Sequence, residues 1–128
     1  MTYGFSKTLS QDFDAALESV KEQLQEEGFG VLTQIPIHEK LKEKLGVDFH
    51  NYVILGACNP PSAHKALLAE ENIGLMLPCN VILYEKEGKT ILSVIKPTVA
   101  MSMIENPDLK GIADKIESKL QRVFDRVA

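Results

Sequence analysis

Two apolar segments separated by a short polar connection restrict the fold of this chain most strongly. Val81–Tyr84 and Ile91–Ile95 read as strands, and they flank the polar residues 85–90. Gly88 in that connection can adopt the positive φ that tight hairpin turns require. The pattern predicts an antiparallel hairpin. Because no Gly-x-Gly-x-x-Gly sequence opens a helix elsewhere, a parallel Rossmann-type sheet is not expected.

Three further segments are predicted to be strands. Residues 3–9 alternate loosely between apolar and polar side chains, and residues 29–35 are rich in β-forming residues up to Pro36. Pro36 is expected to end that strand because it cannot donate a ladder hydrogen bond. Residues 52–58 form a nearly continuous apolar run, which is typical of a strand in the centre of a sheet.

Apolar residues recur at helical spacing in the remaining segments. The first helix is predicted from residue 12, with Ser10 as its N-cap and Gly28 as its stop, because four apolar residues repeat at intervals of four, three and four. The other predicted helices are residues 38–45, residues 63–71 with Ser62 as N-cap, and a long C-terminal helix between Leu109 and Val127.

The order of these elements predicts an α+β fold in a single domain, residues 1–128. A chain of 128 residues is long enough to bury one proper core and too short to suggest a second domain. We expect a curved, mostly antiparallel five-stranded sheet, packed on one face against the N-terminal helix and the long C-terminal helix.

The charge balance restricts the partners of the chain. It contains 14 Lys and Arg residues among 18 Asp and Glu residues, for a net charge of -4. Nucleic-acid binding draws on clustered basic residues, so neither nucleic acid nor an anionic membrane surface is an expected partner. No signal sequence is visible, and no apolar run approaches the ~20 residues that span a bilayer. The sequence therefore predicts a cytoplasmic protein with free thiols.

Both cysteines lie in Cys-Asn dipeptides beside proline. Cys58-Asn59 stands at the end of one predicted strand, before two prolines, and Cys79-Asn80 stands at the start of another, after one proline. Strand ends often present functional side chains, so these two dipeptides form the candidate site. The N-terminus of the next predicted helix, with His64 in its first turn, would favour the anionic form of the Cys58 thiol.

Each of these residues also has a purely structural interpretation. Cys58 fits a small buried apolar position, since cysteine is among the most buried residue types. Asn59 and Asn80 fit turn positions at which the side-chain amide bonds to the backbone. Cys58, Cys79 and His64 are zinc or copper ligand types, but without paired spacing they do not predict a metal site. No Ser-His-Asp order or Gly-x-Ser-x-Gly sequence occurs, so no catalytic residue is assigned.

The residues 52–67, followed by 73–85, resemble the core signature of the domain of unknown function 302 family. The flanking first and last helices are similar to the layout of that family. The resemblance implies an uncharacterised prokaryotic protein with a fold like that of the TATA-binding protein. In that fold a curved sheet wraps a C-terminal helix. The resemblance also implies a possible homodimer formed through the sheet. It brings no established activity, substrate or cofactor. DNA binding is not carried over, because fold does not imply function and the charge is acidic.

Two functions remain open. The first is a non-enzymatic ligand-binding or sensing module, with a small ligand of unknown identity held by Cys58, Asn59, His64, Cys79 and Asn80. The alternative is a thiol-dependent redox or sulfur-carrying protein that uses Cys58 with Cys79 as its partner. A subunit that acts only through protein contacts is a third interpretation.

Overall fold

The structure is a computed structural model that describes residues 1–128. Its elements, in chain order, are β1 Gly4–Leu9, α1 Phe13–Glu26, β2 Gly30–Pro36, α2 Ile37–Leu45, β3 Tyr52–Cys58, α3 Pro60–Ala69, a 3-10 turn Glu71–Met76, β4 Cys79–Lys86, β5 Lys89–Ile95, α4 Pro97–Ala100 and α5 Asp108–Arg126. All five predicted strands and all four predicted helices are present. The 3-10 turn and the four-residue helix α4 were not predicted.

The five strands form one sheet in the order β1-β5-β4-β3-β2, and every neighbouring pair is antiparallel. The sheet is open, with β1 and β2 as its edges. The predicted hairpin joins β4 to β5 through a two-residue turn, in which Glu87 and Gly88 have φ values of 53° and 76°. This turn matches the right-handed twist of the paired strands, and it fixes the register of the central hairpin. The predicted fold class is therefore confirmed.

One face of the sheet packs against α1 and α5. Alternate residues of the central strands point to this face and are completely buried, among them Leu55, Leu83 and Leu92. The apolar side of the helices covers them, with Val20 and Leu120 also at 0% exposure. Each buried Leu or Val stabilises the fold by about 1.5–3 kcal/mol relative to an exposed one. No helix is both long and apolar enough to cross a bilayer.

Two predicted N-caps are wrong. The first helix is capped by Asp12, whose Oδ1 accepts a hydrogen bond from the Ala15 amide at 2.9 Å, and not by Ser10. The third helix begins at Pro60 and is capped by Asn59, so that Ser62 lies inside it. Proline suits the first turn of a helix, because its φ is already helical and the N–H that it lacks would have had no partner there.

Glu27 connects the C-terminal end of α1 to α5. Its Oε1 accepts a hydrogen bond from Arg122 Nε at 3.1 Å, and its Oε2 accepts one from Arg126 Nη1 at 2.8 Å. The hydrogen bond from Arg122 lowers the pKa of Glu27 below its ordinary value of 4.5, against the opposing effect of partial burial, and the charges of both arginines lower it further.

Replacing Glu27 with glutamine is expected to make folding less sensitive to acid. A carboxyl with a lowered folded-state pKa stabilises the fold above its unfolded pKa, and this contribution is lost as the pH falls through the lowered value. The variant should be less stable at pH 7 by about 1 kcal/mol or less, since both arginines are half exposed. Urea unfolding at neutral and acidic pH measures the difference, with Glu26→Gln as the exposed control. A pH-independent difference would contradict the assignment.

Candidate functional site on the open face of the sheet

The second face of the sheet, here called the open face, is covered by neither α1 nor α5. Alternation along the strands and the observed register assign its residues. They are Gly4, Ser6 and Thr8 of β1, Lys89, Ile91, Ser93 and Ile95 of β5, Asn80, Ile82, Tyr84 and Lys86 of β4, Tyr52, Ile54, Gly56 and Cys58 of β3, and Thr33 and Ile35 of β2. Only Lys86 and Lys89, which pair with each other beside the hairpin turn, are charged, although 25% of the residues in the chain are. A sheet face that is exposed to water normally carries many charged side chains. The low charge content of the open face therefore indicates a binding surface.

A groove of about 420 Å³ lies on the open face and is here called the tyrosine groove. Its lining includes all three tyrosines of the chain. The complete lining is Met1, Tyr3, Gly4, Ser6, Tyr52, Asn80, Ile82, Tyr84, Ser93, Val94 and Ile95. The volume falls in the range of small-molecule sites.

Tyr52 and Tyr84 form one wall of the tyrosine groove. They are directly opposite each other in the β3 and β4 register, and their rings stack with centroids 5.4 Å apart and planes 14° apart. The His50 ring lies about equally far from both, at 6.2 Å and 6.1 Å. Partial burial raises the pKa of Tyr52, and the neighbouring Tyr84 and Tyr3 hydroxyls add to this. The Tyr52 hydroxyl is therefore held in the neutral, hydrogen-bonding form.

The polar side chains of the groove are few and uncharged. The Ser6 and Ser93 hydroxyls bond to each other at 2.8 Å across the β1 and β5 pair. The Asn80 amide is exposed at the opposite end from Tyr52 and Tyr84, because it lies four residues before Tyr84 along β4 and pairs with Gly56 rather than Tyr52. An apolar groove with hydroxyl and amide groups at a few fixed points suits an uncharged, flat or aliphatic ligand.

The two predicted Cys-Asn dipeptides lie close together at one end of β3 and β4. Ala57 is the register partner of Cys79, so that Cys58 points to the open face and Cys79 points to the opposite, helix-covered face. Cys79 is 7% exposed, and burial raises the pKa of its thiol to about 11, with a smaller contribution from Cys58. Both cysteines are free. Side chains on opposite faces do not favour a reversible disulfide.

Asn59 has its polar atoms committed to the backbone. Its Oδ1 accepts a hydrogen bond from the Ser62 amide at 3.2 Å, and its Nδ2 donates to the carbonyl oxygens of Gly28 at 3.3 Å and Glu27 at 3.4 Å. It is 6% exposed. The structural interpretation of Asn59 therefore matches the geometry, and the amide is not presented to a ligand.

The N-terminus of α3 has few free donors with which to favour a thiolate at Cys58. Pro60 and Pro61 have no N–H, the Ser62 amide is taken by the Asn59 side chain, and the Ala63 amide donates to the Asn59 carbonyl at 2.9 Å. His64 is exposed on α3, and no three His, Cys, Asp or Glu side chains come together as metal ligands. Of the five predicted site residues, only Asn80 lines the tyrosine groove.

The two thiols are expected to react at very different rates. With a pKa of about 11, Cys79 carries only about 0.1% thiolate at pH 8, and it is also shielded from reagents. Ellman's reagent should titrate one thiol per folded chain promptly and two after denaturation. Cys58→Ser should abolish the prompt reaction, whereas Cys79→Ser should leave it intact. Two prompt thiols in the native protein would contradict this arrangement.

The sequence profile described as "Domain of unknown function DUF302" matches residues 5–127, which is nearly the whole chain. The chain belongs to the DUF302 family. A crystal structure of an uncharacterised conserved DUF302 protein from Bacillus stearothermophilus superposes on the chain with a TM-score of 0.93. That relative is 37% identical, and the match covers 100% of both chains. No curated protein matched the sequence.

Membership in the DUF302 family fixes the fold and leaves the activity open, since the relative is itself described as uncharacterised. The two segments that carry the resemblance to the family, residues 52–67 and 73–85, contain both Cys-Asn dipeptides and also Tyr52 and Tyr84. Sequence reasoning missed the two tyrosines, because no local pattern distinguishes them from other aromatic residues in strands. Only the pairing of β3 with β4 shows that they stack on one face.

Proposed function

We propose that this DUF302 protein is a non-enzymatic binding module that holds a small, uncharged and largely apolar molecule in the tyrosine groove. The observation that carries the proposal is a groove of about 420 Å³ on the open face whose lining contains no charged side chain. A charged ligand would find no charged side chain to compensate it there, whereas an apolar or aromatic one would remove Tyr52, Tyr84 and Ile82 from water.

The chemistry of the groove supports binding rather than catalysis. The only ionisable side chains in its lining are tyrosines, and the pKa of Tyr52 is moved further from neutrality. General acid–base catalysis works best with a group that titrates near the working pH. We place this module in the cytoplasm, in keeping with its acidic charge and free cysteines.

A neutral, polarity-sensitive naphthalene dye such as prodan tests the proposal. Its emission should shift to the blue when it enters the groove, with saturable binding. Tyr84→Ala, which removes one wall, should weaken binding by about 10-fold, equivalent to roughly 1.4 kcal/mol. Ser93→Leu, which fills the floor, should also weaken it. Leu68→Ala, an equally apolar substitution at an exposed position on α3, should have no effect.

Unchanged dye binding in both groove variants would overturn the proposal. The homodimer implied by the family resemblance stays a prediction, and the same experiment addresses it. If a second copy occupies the open face, native mass spectrometry should show a dimer and dye binding should fall as protein concentration rises. That outcome would replace the small molecule with a second chain as the occupant of the groove.

A further inference from the structure

The outer edge of β1 carries main-chain groups without partners. In an antiparallel pair, alternate residues of a strand point their N–H and C=O groups to opposite sides. The Lys96 amide donates to the Tyr3 carbonyl at 2.9 Å, so the odd-numbered residues of β1 point these groups toward β5. The groups of Gly4, Ser6 and Thr8 therefore point away from the sheet, and no loop or turn of the chain bonds to them.

The opposite edge strand, β2, is protected against pairing with another strand. A β-bulge interrupts its register between Val31 and Thr33, and Pro36 ends it. Bulges and prolines are usual devices that keep sheet edges from pairing. The six residues of β1 have neither. Their one charged side chain, Lys7, holds its ammonium group 4.7 Å from the centre of the Phe124 ring of α5, so its charge does not guard the edge.

We propose that β1 pairs antiparallel with β1 of a second copy of this chain, in the register that places Ser6 opposite Ser6 and Gly4 opposite Thr8. All three outward-pointing residues then find partners. Three residues on each of two strands, each donating one N–H, give six main-chain hydrogen bonds. A two-fold axis through the Ser6 pair makes the contact the same for both copies, so the pairing closes as a dimer.

The side chains of β1 favour this register. It places Phe5 of one copy opposite Lys7 of the other, and the same surface already carries two pairs of a lysine with an aromatic ring, Lys7 over Phe124 and Lys96 over Phe5 at 5.0 Å. A shift of two residues in one direction would place Lys7 opposite Lys7, where like charges repel. A shift in the other direction would place Thr8 opposite a residue outside β1.

Edge pairing leaves the open face uncovered, unlike a dimer in which a second copy lies on that face. Two five-stranded sheets would become one continuous sheet of ten strands, with both open faces on the same side. Gly4 and Ser6 line the tyrosine groove, so the grooves of the two copies would adjoin across the two-fold axis. The pairing does not depend on the ligand proposed for the groove.

Sedimentation of the protein from micromolar to millimolar concentration, with Thr8→Pro as the variant, tests the pairing. Proline removes an outward N–H that β5 does not use, so the fold should survive, as circular dichroism can check. Two hydrogen bonds are lost per dimer, and we expect dimerisation to weaken by at least about 10-fold. Thr8→Ala should dimerise like the unsubstituted protein. A protein that is monomeric at millimolar concentration, or a dimer that Thr8→Pro leaves unchanged, would overturn the proposal.

Cysteine cross-linking in a Cys58→Ser background tests the register. Residues that exchange hydrogen bonds across an antiparallel pair have Cα atoms about 5.5 Å apart, which suits a disulfide. Mild oxidation should therefore convert Ser6→Cys to a covalent dimer. Thr8→Cys should stay uncross-linked, because the two substituted residues would be offset by four positions, about 13 Å along the strands. Cross-linking of Thr8→Cys alone would refute the register, and loss of prodan binding in the dimer would place the second copy on the open face instead.

Discussion

Replacing Asn59 with alanine is expected to lower the free energy of unfolding by about 2–4 kcal/mol, the sum of a lost N-cap and of buried backbone groups left without partners. Asn59 is buried and makes three hydrogen bonds that join the start of α3 to the end of α1. Alanine supplies none of them. Chemical denaturation, with the midpoint and the slope both recorded, measures the loss.

Asn59→Asp separates the two parts of this effect. Aspartate is as good an N-cap as asparagine, so the bond from the Ser62 amide is retained, but its carboxylate cannot donate to the carbonyls of Glu27 and Gly28. We expect Asn59→Asp to be destabilised at neutral pH, and less so when acid protonates the new carboxyl. The matched control is Asn80→Ala, an exposed position that should change stability by no more than about 0.5 kcal/mol. Equal stability of the two alanine variants would contradict the structural role of Asn59.

Gly56→Ala is expected to destabilise the protein by about 1–3 kcal/mol, the usual cost of overpacking. Gly56 is buried in β3, where it pairs with Thr33 of one neighbouring strand and Asn80 of the other. A Cβ atom at this position would lie 2.8 Å from the Pro78 Cγ atom and closer still to Thr33 Oγ1. The proline ring cannot rotate away, so β3 and the segment before β4 would have to separate.

Gly111→Ala provides the control for the Gly56 substitution. Gly111 lies in α5, and an added Cβ atom would meet nothing within 4 Å. Alanine there should stabilise the helix by up to about 1 kcal/mol. Combining Thr33→Ala with Gly56→Ala should recover part of the loss, because it removes one of the two close contacts. A Gly56→Ala variant as stable as the unsubstituted protein would refute the packing argument.

The fold could be predicted because local pattern and global structure agree over most of the chain. The two apolar segments in β4 and β5, with a glycine in the polar connection between them, predicted the hairpin, and the three-four rhythm of Leu109 to Val127 predicted α5. The start of α3 was misplaced because two prolines were interpreted as a lead-in to the helix, whereas they form its first turn. Helix α4 has four residues, too few for any periodicity to appear.

The candidate site was less predictable, because it depends on register. Placing Cys58 and Cys79 near the same edge of the sheet was consistent with the sequence, but one residue of register decides whether two side chains share a face. The observed pairing separates the thiols and brings Tyr52 beside Tyr84. Tyr3 lies beside them because β1, the first strand of the chain, pairs with β5. No local sequence pattern encodes this long-range pairing.

Because every tyrosine lies in one groove, that groove also dominates the near-ultraviolet absorption and fluorescence of the protein. The chain has no tryptophan, so these three phenol rings supply nearly all of its near-ultraviolet absorption and emission. In most proteins such signals average over the whole molecule. Here they originate at a single surface, and an unlabelled sample can therefore report directly whether that surface is empty or covered.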